Sequence, residues 1–476
     1  MIGEDVLFLS VRKLGELIRT KQLSPVDLTL AYLERDKELG RELNAFSLIL
    51  ADLALEQAKQ AEAEILRGNY RGPLHGIPYA AKDLLAVKGY PTTWGAEPYR
   101  RQVFPYDATV IRKLNDAGAI LLGKAAMIEL AGGLGYRFAS ASWTHAAKNP
   151  WNPDCWTCGS SSGSGAIVAA GMAAFAIGTE TWGSIVCPSA FCGVSGLRPT
   201  FGRVGRGGAM ALSYSMDKIG PMCRTAGDCS LVLPAISGHD PSDASSLPQP
   251  EAQFTYAAPA KPLRIARIEK AWEKPDPEVA AAFEQAIAVL QKAGVAISSV
   301  ALPEGPWETA GGIVVNVEAA SAFSRLIESG EVAQLSDPLA KIGGYVAQTV
   351  TGQDFLRAQR VRRVLQQKMA DIFEQCDVLA APSMPVAATR LDLNLETGLS
   401  FADPIGGIGN LCGIPAQSVP CGFTRAGLPI GIQFLARPLN DSAVITAAEI
   451  FQSKTDWHKK HPKVEAERGG GRGTKK

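Results

Sequence analysis

The sequence predicts an α/β protein, because strand and helix patterns alternate along most of the chain. In the middle, "LRIARI" (263–268) has the pattern of a short strand, and "DPEVAAAFEQAIAVLQKAG" (276–294) has the pattern of a helix. One stripe of that helix is apolar, at Val279, Phe283, Ile287 and Leu290. A second strand pattern, "VAISSVAL" (295–302), follows. A strand, a helix and a strand in this order favour a largely parallel sheet covered by helices.

Two helices are predicted near the start, over residues 10–40. The second begins at Ser24, with Pro25 in the first helical position, where the missing N–H of proline costs nothing. A loop-like stretch at 238–262 is expected to run over the surface, because strand patterns resume after it.

Charge and hydropathy exclude several classes of partner. The 476 residues include 48 Lys and Arg against 47 Asp and Glu, a net charge of +1, so nothing indicates nucleic acid or an anionic membrane. The longest apolar stretch, around 166–177, is too short to cross a bilayer and is interrupted by Gly171. The first fifteen residues lack the pattern of a signal peptide. We expect a cytoplasmic protein that acts on a small molecule.

The nine cysteines predict reduced thiols, because their number is odd and the chain is long. Cys155 and Cys158 form a C-x-x-C pattern, but no second pair or nearby histidine completes a zinc site. We therefore expect neither a metal nor a cofactor, and thiols that pack as small apolar side chains.

Two serine-containing stretches carry the strongest indication of chemistry. "GSSSGSG" (159–165) is expected to start a helix at Ser160, and "GTETWGS" (178–184) places Ser184 on a turn after the short buried strand "FAIG" (175–178). Ligands bind at the strand ends of parallel sheets. A serine there needs a base, and the five histidines are poorly placed to supply one.

An alternative interpretation assigns the nucleophile to Ser161. "GSSSG" fits the G-x-S-x-G pattern of an α/β-hydrolase-type esterase, which requires a strand directly before it. The preceding "NPWNPDCWTC" (149–158) contains Pro150 and Pro153 and predicts a loop.

Lys82 is a candidate base because it ends an apolar, strand-like run, "IPYAAK" (77–82). Burial disfavours the charged form of a lysine and lowers its pKa, which leaves an amine able to accept a proton. A lysine that reaches solvent from a strand end, or that pairs with Asp83, fits this stretch equally well.

Together these motifs resemble the amidase signature family of hydrolases, which use a Ser–cisSer–Lys triad. The matching segments are "CGSSSGSGAIVAAG", Glu180, "WGSI" and "GLRPTFGRVGR", and the two serines are 184 − 160 = 24 residues apart, as in that family. The resemblance extends over nearly the whole chain, through "GIPYAAKDL", "SMDKIGPMCRT" and "LPIGIQFLARPL". It implies a central, mostly parallel, twisted mixed sheet with helices on both faces.

The resemblance also implies the domain organisation. We expect one domain over 1–460, with N-terminal helices to about residue 65, a signature core over about 66–235 and the excursion at 238–262. The remaining residues, 461–476, are expected to form a disordered tail.

Carried over by position, the resemblance implies roles for the site residues. Lys82 is the base, Ser160 follows a cis peptide bond from Gly159, and Ser184 is the nucleophile. The oxyanion hole consists of backbone N–H groups, those of Thr181, Trp182, Gly183 and Ser184. Glu180 and Arg198 are expected to form a buried ion pair rather than to act as acids.

Two departures from the family pattern concern the substrate. Trp182 stands where many relatives have Gly or Asp, and its indole is expected to form a wall of the pocket. Cys158 replaces a usual Gly. The segment "RGGAMALSYS" (206–215) is expected to be a mobile wall with Met210 facing substrate.

The substrate predicted from these features is an uncharged, partly aromatic amide or anilide, and carbamates (urethanes) are further candidates. Segments such as "VNVEAASAFSRLIESG" resemble the stand-alone amidases, which include aryl acylamidases, rather than the subunits of amidotransferases. A monomer or a homodimer is expected. The alternatives are the Ser161 esterase and a non-catalytic binding relative that retains the fold.

Overall fold

The computed structural model describes residues 2–399 and 402–463. Of the predicted disordered tail at 461–476, residues 464–476 lie outside the described residues. Within the described ranges the chain forms thirteen strands, with these bounds: β1 Phe46–Ile49, β2 Pro78–Lys82, β3 Ile120–Ala125, β4 Lys148–Asn149, β5 Asn152–Trp156, β6 Phe175–Glu180, β7 Ser195–Arg198, β8 Lys218–Cys223, β9 Arg264–Glu269, β10 Ala296–Ala301, β11 Val378–Pro382, β12 Ala416–Phe423 and β13 Pro429–Ala436.

Sixteen α-helices accompany the strands in the same part of the chain. Their bounds are α1 Glu4–Leu7, α2 Val11–Arg19, α3 Pro25–Leu43, α4 Ala51–Leu66, α5 Thr109–Asp116, α6 Ser162–Ala169, α7 Val186–Cys192, α8 Ala226–Ile236, α9 Pro277–Lys292, α10 Trp307–Ala322, α11 Ser324–Glu328, α12 Ala340–Ala347, α13 Gly352–Gln375, α14 Leu395–Gly398, α15 Pro404–Leu411 and α16 Asp441–Gln452. No helix in the described ranges is long and apolar enough to cross a bilayer.

A mixed sheet forms the centre of the fold. Eleven of the described strands pair in the order β1-β3-β2-β6-β8-β7-β12-β13-β11-β9-β10. The pairs β2/β3, β2/β6, β9/β10 and β9/β11 are parallel, and antiparallel pairs join and extend these groups. The predicted α/β fold, a large mixed sheet flanked by helices, is confirmed.

Local chemistry explains the elements that the sequence predicts well. The hydroxyl of Ser24 accepts hydrogen bonds from the N–H groups of Val26 and Asp27, both at 3.1 Å, so α3 begins where expected. Helix α9 ends before Gly294, whose φ of +85° favours glycine. The predicted strands on either side of α9 are β9 and β10, which pair in parallel.

Two local predictions are wrong, one for the stretch before the serine-rich segment and one within it. The stretch 149–158 is not a loop, because β5 lies within it and pairs with β4. The side-chain amide of Asn149 stabilises this hairpin by donating to the carbonyl oxygens of Trp156 and Phe191, at 3.2 and 2.9 Å. The helix begins at Ser162 rather than at Ser160, so the Ser160 hydroxyl is not used as a helix cap.

The excursion at 238–262 contains no helix or strand in the structure as described. It nevertheless fixes the segment 206–215. Asp240 accepts a hydrogen bond from the N–H of Gly207 at 3.0 Å, and Asp243 forms a bidentate ion pair with Arg206 at 3.0 and 3.1 Å. The excursion therefore supports the wall predicted to face the substrate.

Asp441 joins the start of α16 to the chain that leaves β7. Its fully buried carboxylate accepts hydrogen bonds from the N–H and the hydroxyl of Thr200, both at 2.8 Å, and pairs with Arg203 at 3.0 Å. Replacing Asp441 with Ala leaves Arg203 unpaired in the interior, so the free energy of unfolding falls by about 3–5 kcal/mol. Urea unfolding measures this loss.

Asp392→Ala is the matched control, because Asp392 forms an exposed ion pair with Arg390. The expected change there is too small to measure. Equal losses in the two variants would contradict the role given to Asp441.

Candidate active site

Adjacent parallel strands bring Lys82 to the centre of the site. Strand β2 ends at Lys82, and its neighbour β6 runs on to Thr179 and Glu180, with Ala81 opposite Ile177. The carboxyl ends of parallel strands meet at one edge of a sheet. The Nζ atom of Lys82 lies there, 2.7 Å from Ser160 Oγ and 2.9 Å from Thr179 Oγ1.

The environment of Lys82 favours its neutral form. Its side chain is fully buried, and no carboxylate lies within ion-pair distance among the described residues. Burial lowers the pKa of Lys82 to about 7, although the more distant charges of Asp217 and Glu180 act in the opposite direction. The amine can therefore accept a proton near neutral pH.

Ser160 lies on a tight connection between β5 and α6. The peptide bond from Gly159 to Ser160 is cis, and the Ser160 carbonyl accepts a hydrogen bond from Ile128 N–H at 3.2 Å. Helix α6 packs closely beneath this connection. A Cβ at Gly163 would collide with the backbones of Ala45 and Ala126, which explains why the segment requires glycine.

Glu180 and Arg198 hold the turn that carries Ser184. They form the predicted buried ion pair at 2.6 Å, and the second carboxylate oxygen of Glu180 accepts from the N–H groups of Ile185 and Val186 at 2.9 and 3.0 Å. Burial opposes ionisation, but Arg198 and Lys218 outweigh it and hold the pKa of Glu180 at about 2. The carboxylate therefore stays ionised at neutral pH and keeps its hydrogen bonds to the turn.

The turn itself presents four backbone donors. The N–H groups of Thr181, Trp182, Gly183 and Ser184 have no hydrogen-bond acceptor within residues 2–399 and 402–463, and neither does the Ser184 hydroxyl. Gly183 has a φ of +77°, a conformation that other residues rarely adopt. Ser184 is 8% exposed. These unpaired donors and the accessible hydroxyl suit a reaction that develops negative charge on oxygen.

Asp217 connects this turn to the segment 206–215. Its carboxylate accepts from the Thr181 hydroxyl at 2.5 Å and from the N–H groups of Leu212 and Ser213 at 2.8 and 3.0 Å. Burial raises the pKa of Asp217, and these hydrogen bonds oppose the rise. Both carboxylate oxygens of Asp217 are therefore occupied by hydrogen bonds that link the turn to the segment 206–215.

Trp182 extends from the turn towards α10 and α15. Its indole N–H donates to Asp403 at 2.9 Å. The ring fits against Gly311 and Gly406, where a Cβ would collide with it. Trp182 is not among the described residues that line the cavity beside the site. Its predicted contact with substrate stays a prediction.

Two cysteines correct the expectation of reduced thiols throughout. Cys158 and Cys187 form a disulfide, with their Cα atoms 5.9 Å apart. The other seven cysteines, including Cys155 of the C-x-x-C pattern, are free and buried. The fold brings Cys158 next to a residue 29 positions away, which the spacing in the sequence does not reveal.

A small cavity of about 160 Å³ adjoins the site. Thr179 and Thr181 line it, and so does Met210 of the predicted wall, together with mostly apolar neighbours that include Leu84, Leu212 and Ile219. Met210 therefore lies where a substrate group could reach it. No group of His, Cys, Asp and Glu that could hold a metal occurs among the described residues.

The arrangement gives Ser161 a different setting from that of Ser184. Ser161 is fully buried, and its hydroxyl donates to the Thr179 carbonyl at 3.1 Å and accepts from the Thr179 N–H at 3.2 Å. Among the described histidines, none hydrogen-bonds to Ser160, Ser161 or Ser184.

The roles of Thr179 and Asp403 were not predicted from the sequence, because no motif distinguishes their contacts. Thr179 contacts Lys82, and Asp403 accepts a hydrogen bond from Trp182.

Comparisons with known proteins give matches over nearly the whole chain. The sequence model of the family "Amidase" matches residues 27–445. The A subunit of the glutamyl-tRNA(Gln) amidotransferase of Moorella thermoacetica is 35% identical over 493 residues, covering 97% of this chain and 99% of that protein.

Two solved structures are similar over nearly their whole length. The peptide amidase from Stenotrophomonas maltophilia has a TM-score of 0.84 and 29% identity, covering 96% of this chain and 98% of that one. A bacterial aryl acylamidase of the amidase signature family has a TM-score of 0.85 and 23% identity, covering 97% and 99%, and this likeness concerns the fold alone.

The burial of Lys82 predicts a dependence of stability on pH. Between pH 7 and about 10.4 the amine binds a proton in the unfolded chain but not in the folded one, so unfolding takes up a proton. The free energy of unfolding, relative to Lys82→Met, therefore rises with pH by about 1.4 kcal/mol per unit in that window and is constant below it. Urea unfolding at several pH values measures the slope.

Lys37→Met, at an exposed lysine, is the control for the general effect on stability of replacing a lysine with methionine. A wild type that gains no stability over Lys82→Met between pH 8 and 10 would show that Lys82 stays charged in the fold.

Proposed function

The chain belongs to the amidase signature family and is an amide C–N hydrolase, and we propose that it acts through an acyl-enzyme on Ser184 with a proton relay through Ser160 and Lys82. One observation carries this proposal above the others. The Lys82 amine is buried without a carboxylate partner in the described chain and lies 2.7 Å from Ser160 Oγ. An amine in this setting is a base and not a structural charge.

In the first step Ser184 Oγ attacks the substrate carbonyl carbon. Ser184 gives its proton to Ser160 as Ser160 gives its own to neutral Lys82. The carbonyl oxygen becomes an oxyanion, which the N–H groups of Thr181, Trp182, Gly183 and Ser184 stabilise. Each such donor is worth roughly 3 kcal/mol in acyl-transfer enzymes.

In the second step the C–N bond breaks. The proton held on Lys82 returns through Ser160 to the leaving nitrogen, which departs as a neutral amine. The acyl group stays on Ser184 as an ester. Water then attacks this ester, and the same relay accepts its proton. The bond between the acyl carbon and Ser184 Oγ breaks, the proton returns through Ser160 to Ser184 Oγ, and the carboxylic acid is released.

The lining of the cavity supports an uncharged substrate. Arg206 points to the same region but is already paired with Asp243, and Asp217 is occupied by Thr181 and two backbone N–H groups. Lys218 also lines this wall, but its Nζ donates to the Met216 carbonyl, and burial lowers its pKa well below the ordinary value, which favours the neutral amine. The ionisable side chains of this wall are therefore either paired or held neutral, which disfavours an ionic substrate group. The volume of about 160 Å³ is close to that of a cavity known to hold one benzene ring.

We therefore propose amides and anilides with a small apolar or aromatic group as the substrates. Carbamates, including urethanes, follow from the same tetrahedral chemistry, because the same N–H groups stabilise the same oxyanion. The likeness to the peptide amidase of S. maltophilia, over 96% of this chain, supports an amide substrate. The likeness to amidotransferase A subunits makes a protein partner the competing proposal.

The two alternatives from the sequence have less support. An esterase centred on Ser161 would need a hydroxyl free to attack, whereas that of Ser161 is buried and bonded to Thr179. A binding protein without catalysis would not need a neutral lysine beside Ser160.

Hydrolysis of a matched pair of compounds tests this function. The acetanilide and the ethyl carbamate of one aromatic amine release the same product, so one assay compares them. We expect release from at least one compound, and a fall of at least about a thousandfold in Ser184→Ala because the nucleophile is lost. The ratio of the two rates decides between amidase and urethanase.

Ser161→Ala is the matched control and is expected to retain hydrolysis. Activity that survives in Ser184→Ala and disappears in Ser161→Ala would contradict the proposed nucleophile. Wild-type enzyme without activity on any small amide, anilide or carbamate would contradict the proposed substrate class.

Met210 is expected to influence selectivity. Met210→Ala enlarges the cavity by several methylene volumes, so kcat/KM should shift towards larger acyl or aryl groups, by about tenfold or less across a graded series. Met369→Ala is the control, because Met369 is buried in α13 away from the cavity lining. Unchanged ratios in Met210→Ala would show that Met210 does not contact the substrate.

A further inference from the structure

The Cys158–Cys187 disulfide joins the two segments that carry the catalytic serines. Cys158 is two residues before Ser160, and Cys187 is three residues after Ser184, in the first turn of α7. The bond closes a loop with a sequence separation of 29 that contains both serines. It therefore constrains the distance across which Ser184 must pass its proton to Ser160.

Other contacts between these two segments are sparse. Within the described chain, no hydrogen bond joins residues 157–160 to residues 181–187. Each segment is instead attached to a third part of the molecule, the first through Lys82 and Ile128 and the second through Glu180. The disulfide is the covalent link between them, and farther along α7 the Cys192 thiol donates to the Thr157 carbonyl at 3.8 Å.

The backbone at Cys158 adopts a conformation that is uncommon for a residue with a side chain. Cys158 has a φ of +63°, a region that favours glycine and is costly for a residue with a Cβ. Cys187 lies in helix α7 and does not have a positive φ. The bond to Cys187 helps to hold residue 158 in this conformation.

The surroundings of the disulfide are apolar. Ile128, Trp156 and Phe191 belong to the same buried cluster as the two cysteines, which are 6% and 4% exposed. The bond therefore acts on the serines through the chain and not through contact with the substrate.

We propose that the Cys158–Cys187 disulfide is a positioning element for catalysis, and that its reduction slows the acylation of Ser184. This inference rests on the proposed function of the two serines. With the bond intact, the chain on either side holds Ser160 and Ser184 in the alignment that proton transfer requires. A misplacement of about 1 Å between reacting groups can lower a rate a hundredfold.

The redox step balances with a dithiol as reductant. Two electrons and two protons pass from the dithiol to the disulfide, the S–S bond breaks, and Cys158 and Cys187 become thiols while the dithiol closes to its own cyclic disulfide. Dithiothreitol supplies this chemistry in the test.

The expected effect is on kcat rather than KM. The cavity walls around Met210 and Leu212 belong to a different segment, fixed by Asp217, so substrate binding should change little. The fall of kcat should be between about tenfold and a hundredfold. The rise of kcat/KM with pH near 7 should persist, because the burial of Lys82 is unaffected.

The experiment compares oxidised wild type, wild type reduced with dithiothreitol and alkylated in the folded state, and Cys158→Gly/Cys187→Ala. Glycine suits the positive φ of residue 158, so the double variant opens the bond with little backbone cost. Cys155→Ala is the control, because Cys155 is a free buried cysteine of the same cluster. Peptide mapping without reductant establishes the bond, and thermal melting establishes folding.

We expect lower kcat in the reduced wild type and in the double variant, full kcat in Cys155→Ala, and no further effect of dithiothreitol on the double variant. Unchanged kcat after confirmed reduction, or free thiols at both positions in the isolated protein, would overturn the proposal. If the double variant fails to fold, the comparison of kcat between oxidised and reduced wild type tests the proposal by itself. Absence of Ser184-dependent activity in the oxidised wild type would refute the proposed function instead.

Discussion

The structure of the site depends on keeping a lysine amine buried, neutral and next to a hydroxyl. Lys82 is influenced by two carboxylates, Glu180 and Asp217, and either would hold it in the charged form by direct contact. Both are engaged elsewhere, Glu180 by Arg198 and Asp217 by Thr181 and backbone N–H groups. In the proposed mechanism the ion pair of Glu180 acts without touching the substrate, because it keeps a carboxylate from pairing directly with Lys82.

The same carboxylates also fix the turn that carries Ser184. Glu180 and Asp217 hold its two ends, and Asp403 holds the indole that projects from its middle. Every one of these contacts uses a side chain or an N–H outside the four donors at 181–184, which stay free for an oxyanion. A turn fixed in this way offers its donors without reorganisation during the reaction, which is the condition for strong electrostatic stabilisation.

Sequence patterns predicted the parts of the molecule that depend on local chemistry. Helix α9 and its flanking strands follow from periodicity. The family resemblance singled out Lys82 and Ser160, whose side chains lie 2.7 Å apart in the structure. Contacts between distant segments were not predictable. Strand β5 forms despite Pro153 because Asn149 and β4 support it, Trp182 fits against Gly311 more than a hundred residues away, and Cys158 meets Cys187 only after the sheet is assembled.

The proposed mechanism depends most on Ser184, which becomes acylated after its proton passes through Ser160 to Lys82. The most direct measurement is the location of a covalent adduct after reaction with an aryl sulfonyl fluoride, a reagent that traps activated serines, followed by peptide mapping by mass spectrometry. We expect one adduct, on Ser184, and we expect no adduct in Lys82→Met, which keeps the serine but removes the base. An adduct on Ser161, or equal labelling of Ser184 in Lys82→Met, would contradict it.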